Sequence, residues 1–206
     1  MITRYAIRSW ASLSALCLLG VAASACRDVP LHGVAMDDPH PAPPLVIASA
    51  SGAAYVLAAD TGKFVLIYFG YTHCPDYCPM MLTDWKRVKR ELGPLASRMR
   101  FVFISVDPDR DTPESTALYA QGFDSTFIGL APPRKELDAI QQAWAVTSYK
   151  EYSKSPGRPA DSYGVAHPAH AYLVNRAGRL QALYPPETRW QDVAADLRKL
   201  FSCVHC

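Results

Sequence analysis

The chain carries little net charge and no run of one sign. Its 21 Lys and Arg against 19 Asp and Glu leave a formal net charge of +2, and the basic residues are scattered. Without a basic stripe there is no electrostatic case for nucleic acid. Internal repeats are absent, which argues against a stacked array. Charged residues make up only 19% of the chain and hydrophobic ones 50%, a balance that excludes wholesale disorder. At 206 residues there is room for one good-sized domain but not for two comfortable ones.

Charge is also missing from Ser9 to Cys26, "SWASLSALCLLGVAASAC", after a positive start at Arg4 and Arg8. Residues 1–26 are therefore expected to be an export signal or an anchor. Three readings stand side by side. Ala23-Ser24-Ala25 fits an ordinary signal-peptidase site, and the same residues before Cys26 form a degenerate lipobox. The third is a retained anchor, although the stretch falls slightly short of the ~20 residues a spanning helix needs. Cysteine arithmetic favours a lipid on Cys26, which leaves two close pairs, Cys74/Cys78 and Cys203/Cys206. The working domain is expected outside the cytoplasm in every case. Residues 27–44, rich in proline, read as a tether. Within it His32, Met36 and His40 offer only transient contacts for copper.

From Leu45 onward the pattern is structured. "LVIAS" and "AAYVLA" around Ser51-Gly52 predict a hairpin, and "FVLIYFG" predicts a strand buried on both faces. Met81, Trp85, Val88 and Leu92 have helical spacing, stopped by Gly93-Pro94. "MRFVFISV" is a second buried strand. Thr112 as N-cap with Pro113 at the first position opens another helix. "RKELDAIQQAWAV" and "RWQDVAADLRKLF" are helices, and "HAYLVN" with "RLQALY" a hairpin. The alternation predicts an α/β domain over residues 45–202. A cysteine motif between the first core strand and its helix makes the arrangement thioredoxin-like, a mixed sheet flanked by helices, with an N-terminal hairpin.

That motif, "FGYTHCPDYCP", places Cys74 and Cys78 four apart, each followed by proline. Pro79 suits a helix beginning near it, with both sulfurs in the capping loop. The positive field of a helix N-terminus favours thiolate. Thiolate attacks disulfides and also binds soft metals, so a structural disulfide, a redox pair and a metal site all remain open.

Three motifs together resemble the Sco/SenC family of copper proteins of cytochrome c oxidase assembly. They are "YFGYTHCPDYCP", "FISVDPDRDTPE" and "SYGVAHPAHAYLVNRAG", in order, and the resemblance runs from about Leu45 to Phe201. It implies that Cys74, Cys78 and His167 hold copper, as Cu(I) or Cu(II), and favours His167 over His170. Two thiolates and an imidazole are a soft set suited to copper, whereas zinc normally takes a fourth ligand. Ala166 departs from the family's usual Asp before the histidine, and Pro168 after it is also unusual. His73 is expected to support the site rather than bind. Asp107, Asp109, Arg110 and Asp111 read first as a strand-end turn and helix cap, and second as groups facing the copper loop. "KEYSKSPGRPADSYG" reads as a mobile loop that lets His167 swing onto and off the ion.

The tail, residues 203–206, lies outside the family pattern. Cys203 and Cys206, with His205 between them, form a disulfide staple, a second metal site or a redox pair. Two functions are expected from the resemblance. One is a membrane-tethered chaperone carrying one copper to the oxidase subunit with the dinuclear copper centre. The other is a thiol–disulfide oxidoreductase using Cys74 and Cys78. The first is a binding role and the second an enzyme. The partners implied are that subunit, an upstream copper donor or thiol reductant, and the membrane through the N-terminus. The expected place is the periplasmic side of a bacterial inner membrane.

Overall fold

Seven consecutive residues from Phe64 to Gly70 are buried, as a strand covered on both faces demands. The computed structural model describes residues 30–152 and 163–203. In chain order the strands are β1 (Val34–Pro41), β2 (Val46–Ala48), β3 (Ala54–Val56), β4 (Phe64–Gly70), β5 (Met99–Ser105), β6 (Ile128–Leu130), β7 (Tyr149–Tyr152), β8 (Tyr163–Ala166), β9 (Ala171–Val174) and β10 (Arg179–Tyr184). The helices are α1 (Tyr77–Leu92), α2 (Pro113–Phe123), α3 (Arg134–Ala143) and α4 (Trp190–Ser202). Six strands form one sheet in the order β1-β10-β9-β4-β5-β6. β4, β5 and β6 run parallel, while β9, β10 and β1 are antiparallel to their neighbours, so the sheet is mixed.

The two faces follow the alternation of β4. Phe64 meets Phe201 of α4 edge-on at 5.4 Å, and Tyr68 meets Trp85 of α1 at 6.3 Å. On the opposite face Phe69 meets Trp144, at the end of α3, and Tyr172 of β9. Burying each such ring contributes about 1.5–3 kcal/mol, so the core around β4 outweighs any single polar contact. The Thr112 cap forms as expected. Its hydroxyl accepts from the Ser115 N–H, and the Ser115 hydroxyl accepts from the Thr112 N–H. β2 and β3 form the expected hairpin as a separate two-stranded sheet.

Three features differ from the sequence reading. The expected tether at residues 27–44 is not loose throughout, because Val34–Pro41 is an edge strand paired with β10. Its polar, proline-containing sequence hides the strand, yet an edge tolerates proline because half its N–H groups face outward. The fully buried carboxylate of Asp196 anchors this segment. It accepts from the backbone N–H groups of His32 and Gly33 and pairs with His32 Nδ1 at 2.7 Å. Second, α1 starts at Tyr77, two residues before Pro79. Proline is tolerated there because the first four helical N–H groups have no partner within the helix. Third, "KEYSKSPGRPADSYG" is not all loop, since β7 and β8 pair antiparallel. Its tip, residues 153–162, lies outside the described residues. So do the expected signal or anchor over residues 1–26, His205 and Cys206. Among the described residues no helix is long and apolar enough to cross a membrane.

Candidate metal centre

Cys78 sits in the first turn of α1 and is fully buried, while Cys74, in the preceding loop, is half-buried. Both are free thiols. The Cys78 backbone N–H points at Cys74 Sγ, 3.5 Å away, so the sulfur caps the helix where a side-chain oxygen usually would. Gly70, at the end of β4, makes room for this packing. A Cβ there would lie 2.8 Å from Cys78 Sγ and 2.7 Å from the Phe103 ring.

His167 arrives from the far end of the chain, directly after β8. Its Nε2 lies 3.8 Å from Cys78 Sγ, and its ring sits edge-on between Tyr68 and Tyr71, each at 5.8 Å. Nδ1 donates to the Pro168 carbonyl at 2.9 Å. A carbonyl only accepts, so the proton is on Nδ1 and the Nε2 lone pair faces the sulfurs. The backbone thus orients the ring where Ala166 offers no carboxylate. One ligand atom each from Cys74, Cys78 and His167 lies within 4.8 Å of the others. A cation bound by sulfur and nitrogen at roughly 2.0–2.3 Å holds three ligands about 3.5–4 Å apart, so the cluster closes on an ion with small adjustments.

The two sulfurs are electrostatically unlike. Donation from the Cys78 thiol, partly opposed by burial and reinforced by contact with the His167 side chain and by the backbone N–H groups of Cys78 and Asp76, lowers the Cys74 pKa to about 3. The same contact and burial push Cys78 well above its usual value. Cys74 is therefore the thiolate at neutral pH. Iodoacetamide should label Cys74 at a rate nearly flat from pH 5 to 8, because the thiolate fraction is already saturated there. A rate rising about tenfold per pH unit across that range would show an ordinary thiol.

Two acidic residues of the second motif tie the halves of the cluster together. Asp111, 3% exposed, accepts from the Thr72 N–H at 2.9 Å, the Thr72 hydroxyl at 2.6 Å and the Ser105 hydroxyl at 2.6 Å. It thereby fixes the loop that carries Cys74. Asp107 accepts from the Tyr163 hydroxyl at 2.9 Å and pairs with Arg110, whose guanidinium donates to the Tyr163 carbonyl and stacks on its ring at 3.6 Å. Those contacts fix the hairpin that ends in His167. The expected strand-end turn forms, with the Arg110 and Asp111 N–H groups donating to the Asp107 carbonyl, while the carboxylates reach partners 39 and 56 residues away. Asp109 is exposed and pairs with Lys150 and Arg134, so it braces the surface.

The remaining candidates lie elsewhere. His73 faces Asp111 and the Thr72 hydroxyl, outside the three-residue cluster. His170 falls on the other face of the sheet, against Tyr172 at 4.8 Å, and burial lowers its pKa so that it stays neutral. Cys203 is disulfide-bonded, which withholds its thiolate from a metal in this state.

Comparison with known proteins agrees with the motifs. Residues 43–202 match the family described as SCO1/SenC. The chain is 34% identical over 138 residues to the human mitochondrial SCO1 homolog, covering 66% of this chain and 44% of that protein. It spans about half the length of the curated relatives it matches. The solution structure of apo Sco1 from Thermus thermophilus is similar at a TM-score of 0.73 and 33% identity, over 83% of this chain and 97% of that one. The structure of Bradyrhizobium japonicum ScoI with copper bound is similar at 0.67 and 34% identity, over 76% and 97%. A family match over most of the domain, and a cysteine pair and histidine brought together from distant motifs, have one common explanation: the chain belongs to the SCO1/SenC family.

Proposed function

We propose that this protein binds one copper ion through Cys74, Cys78 and His167 and delivers it to cytochrome c oxidase during assembly. The acceptor in this reading is the subunit that carries the dinuclear copper centre. The observation that carries it is the convergence of three soft ligand atoms within 4.8 Å. Two sulfurs and one nitrogen, with no fourth ligand in the group among the described residues, suit copper better than zinc. Kinship with proteins of oxidase assembly supports the direction of delivery. The role is carriage, with no turnover of substrate. Anchoring at the outer face of the membrane through residues 1–26 belongs to the same reading.

Titrating the reduced protein with copper tests it. One equivalent should bind, Cu(II) should give a thiolate charge-transfer band, and the loaded protein should metallate an apo dinuclear-copper domain. Binding without transfer would reject the delivery role.

The asymmetry of the two sulfurs favours a second reading, a thiol–disulfide oxidoreductase. Cys74 thiolate attacks a target disulfide and forms a mixed disulfide. The Cys78 sulfur, losing its proton, then displaces the target as a dithiol and leaves the Cys74–Cys78 disulfide, which an external thiol reductant reopens. A half-exposed thiolate beside a buried partner thiol suits those two steps.

A further inference from the structure

Basic residues that lie scattered along the sequence are gathered by the fold at the end of the molecule remote from Cys74, Cys78 and His167. We propose that this end rests on an anionic phospholipid surface and so holds the copper site out from the membrane. The contact presupposes the anchoring by residues 1–26 proposed above. Strand and helix directions define the two ends. β4 finishes at Gly70, beside Cys78, and starts at Phe64, level with Met99 of β5. α1 runs back from the cysteines to Leu92, and Phe201, near the end of α4, packs on Phe64. The length of β4 alone sets the two ends about 20 Å apart.

The second half of α1 carries Lys86, Arg87, Lys89 and Arg90. Helical geometry puts Lys86 and Arg87 beside Arg90, with Cβ atoms roughly 5–6 Å apart, a like-charge grouping that costs a helix stability. Arg87 is answered by Asp84 and Lys89 by Asp124, whereas the exposed Lys86 and Arg90 have no carboxylate partner among the described residues. All four line a groove of about 430 Å³ whose one carboxylate, Asp124, is the one Lys89 engages. Arg198 pairs with Glu91, which joins α4 to α1 in one face. Arg98 adds a guanidinium stacked on the Phe201 ring at 4.7 Å, where it meets a backbone carbonyl and, among the described residues, no carboxylate. At the copper end the balance reverses. Asp76, Glu114 and Glu136 are exposed there, and Lys135 is the one cation without a carboxylate partner among the described residues. An anionic surface therefore attracts one end and repels the other.

The place where the chain enters the fold selects lipid over another anionic partner. Lys199, in the last turn of α4, donates to the Pro30 carbonyl at 2.9 Å. From there the chain climbs α4 toward the copper end, since His32 meets Asp196 at 2.7 Å and Asp192 at 3.8 Å. An anchor within residues 1–26 thus joins the fold from the basic end. The four residues from Cys26 to Pro30 span at most about 14 Å. So short a tether holds this end against the headgroups, where surplus Lys and Arg charge is attracted to anionic lipid.

The test adds the full chain to preformed vesicles of phosphatidylcholine, alone or mixed with phosphatidylglycerol, and reads the acetylation rate of each lysine by mass spectrometry. On the anionic vesicles Lys86 and Lys199 should react about threefold or more slowly than on the neutral ones, and added salt should remove the difference. Lys135 and Lys150, at the copper end, should react alike on both. K86E/R90E should lose the slowing at Lys199 while keeping wild-type copper affinity. Equal rates on the two vesicles would overturn the proposal in favour of a soluble acidic partner. Slowing that extends to Lys135 and Lys150, or full slowing in the double variant, would overturn it as well. Sedimentation with the neutral vesicles reads the anchor separately. A chain that stays in solution there overturns the anchoring, while the lysine pattern on the anionic vesicles still decides the contact.

Discussion

H167A should lose Cu(II) affinity about 100-fold or more, while the Cys74–Cys78 pair still oxidises and reduces near its wild-type midpoint. Removal of a supporting partner alone typically costs 10–100-fold in metal affinity, so removal of a ligand sets a larger expectation. The loss should be greatest for Cu(II), for which imidazole is a good ligand, and smaller for Cu(I), which two thiolates satisfy better. Disulfide exchange needs only the sulfurs, which are placed by the loop and first turn of α1. Competition titration in both oxidation states, beside a thiol–disulfide equilibrium with glutathione, separates the two activities. Wild-type Cu(II) affinity in H167A would reject the three-ligand site.

The second large effect is expected at Asp111. D111A removes a buried carboxylate that holds the Thr72 N–H and the hydroxyls of Thr72 and Ser105. Hydrogen bonds to a charged group contribute about 1.5–3 kcal/mol each and are not additive, so the expected loss of stability is about 3 kcal/mol. The Cys74 loop also loses its anchor, and copper affinity should fall about tenfold. Chemical denaturation and the same titration measure both. D109A is the control: its exposed pairs to Arg134 and Lys150 should contribute less than about 1 kcal/mol. Equal stabilities for the two variants would show that Asp111 is not an anchor.

Local pattern exposed much of this fold in the sequence. β4 and β5 are unbroken apolar runs, α2 carries its cap in Thr112-Pro113, and Gly178 marks the β9–β10 turn with φ of 72°. The cysteines were visible as a pair, but His167 could be matched to them only by resemblance, since 89 residues separate it from Cys78. β1 was hidden because it is mostly exposed and is held by pairing with β10 and, just before it, by Asp196, both far along the chain. The partners of Asp107 and Asp111 were hidden for the same reason, so a role facing the copper loop ranks second to the turn in the sequence. A turn-rich acidic stretch looks alike whether it caps its own helix or ties two distant segments together. Ala166 looked like a loss, yet the carbonyl of Pro168 does the orienting, and a backbone atom leaves no mark in residue identity.

If the site carries copper as proposed, depth sets an order on its release. Cys78 is sealed under Gly70 and Tyr68, whereas Cys74 and the edge of His167 reach solvent. An incoming thiol or imidazole meets the outer two first, so the innermost sulfur is the last to let go. In that reading the route out is one-sided among the described residues, and a recipient would have to present its own donors along that approach before the final bond opens.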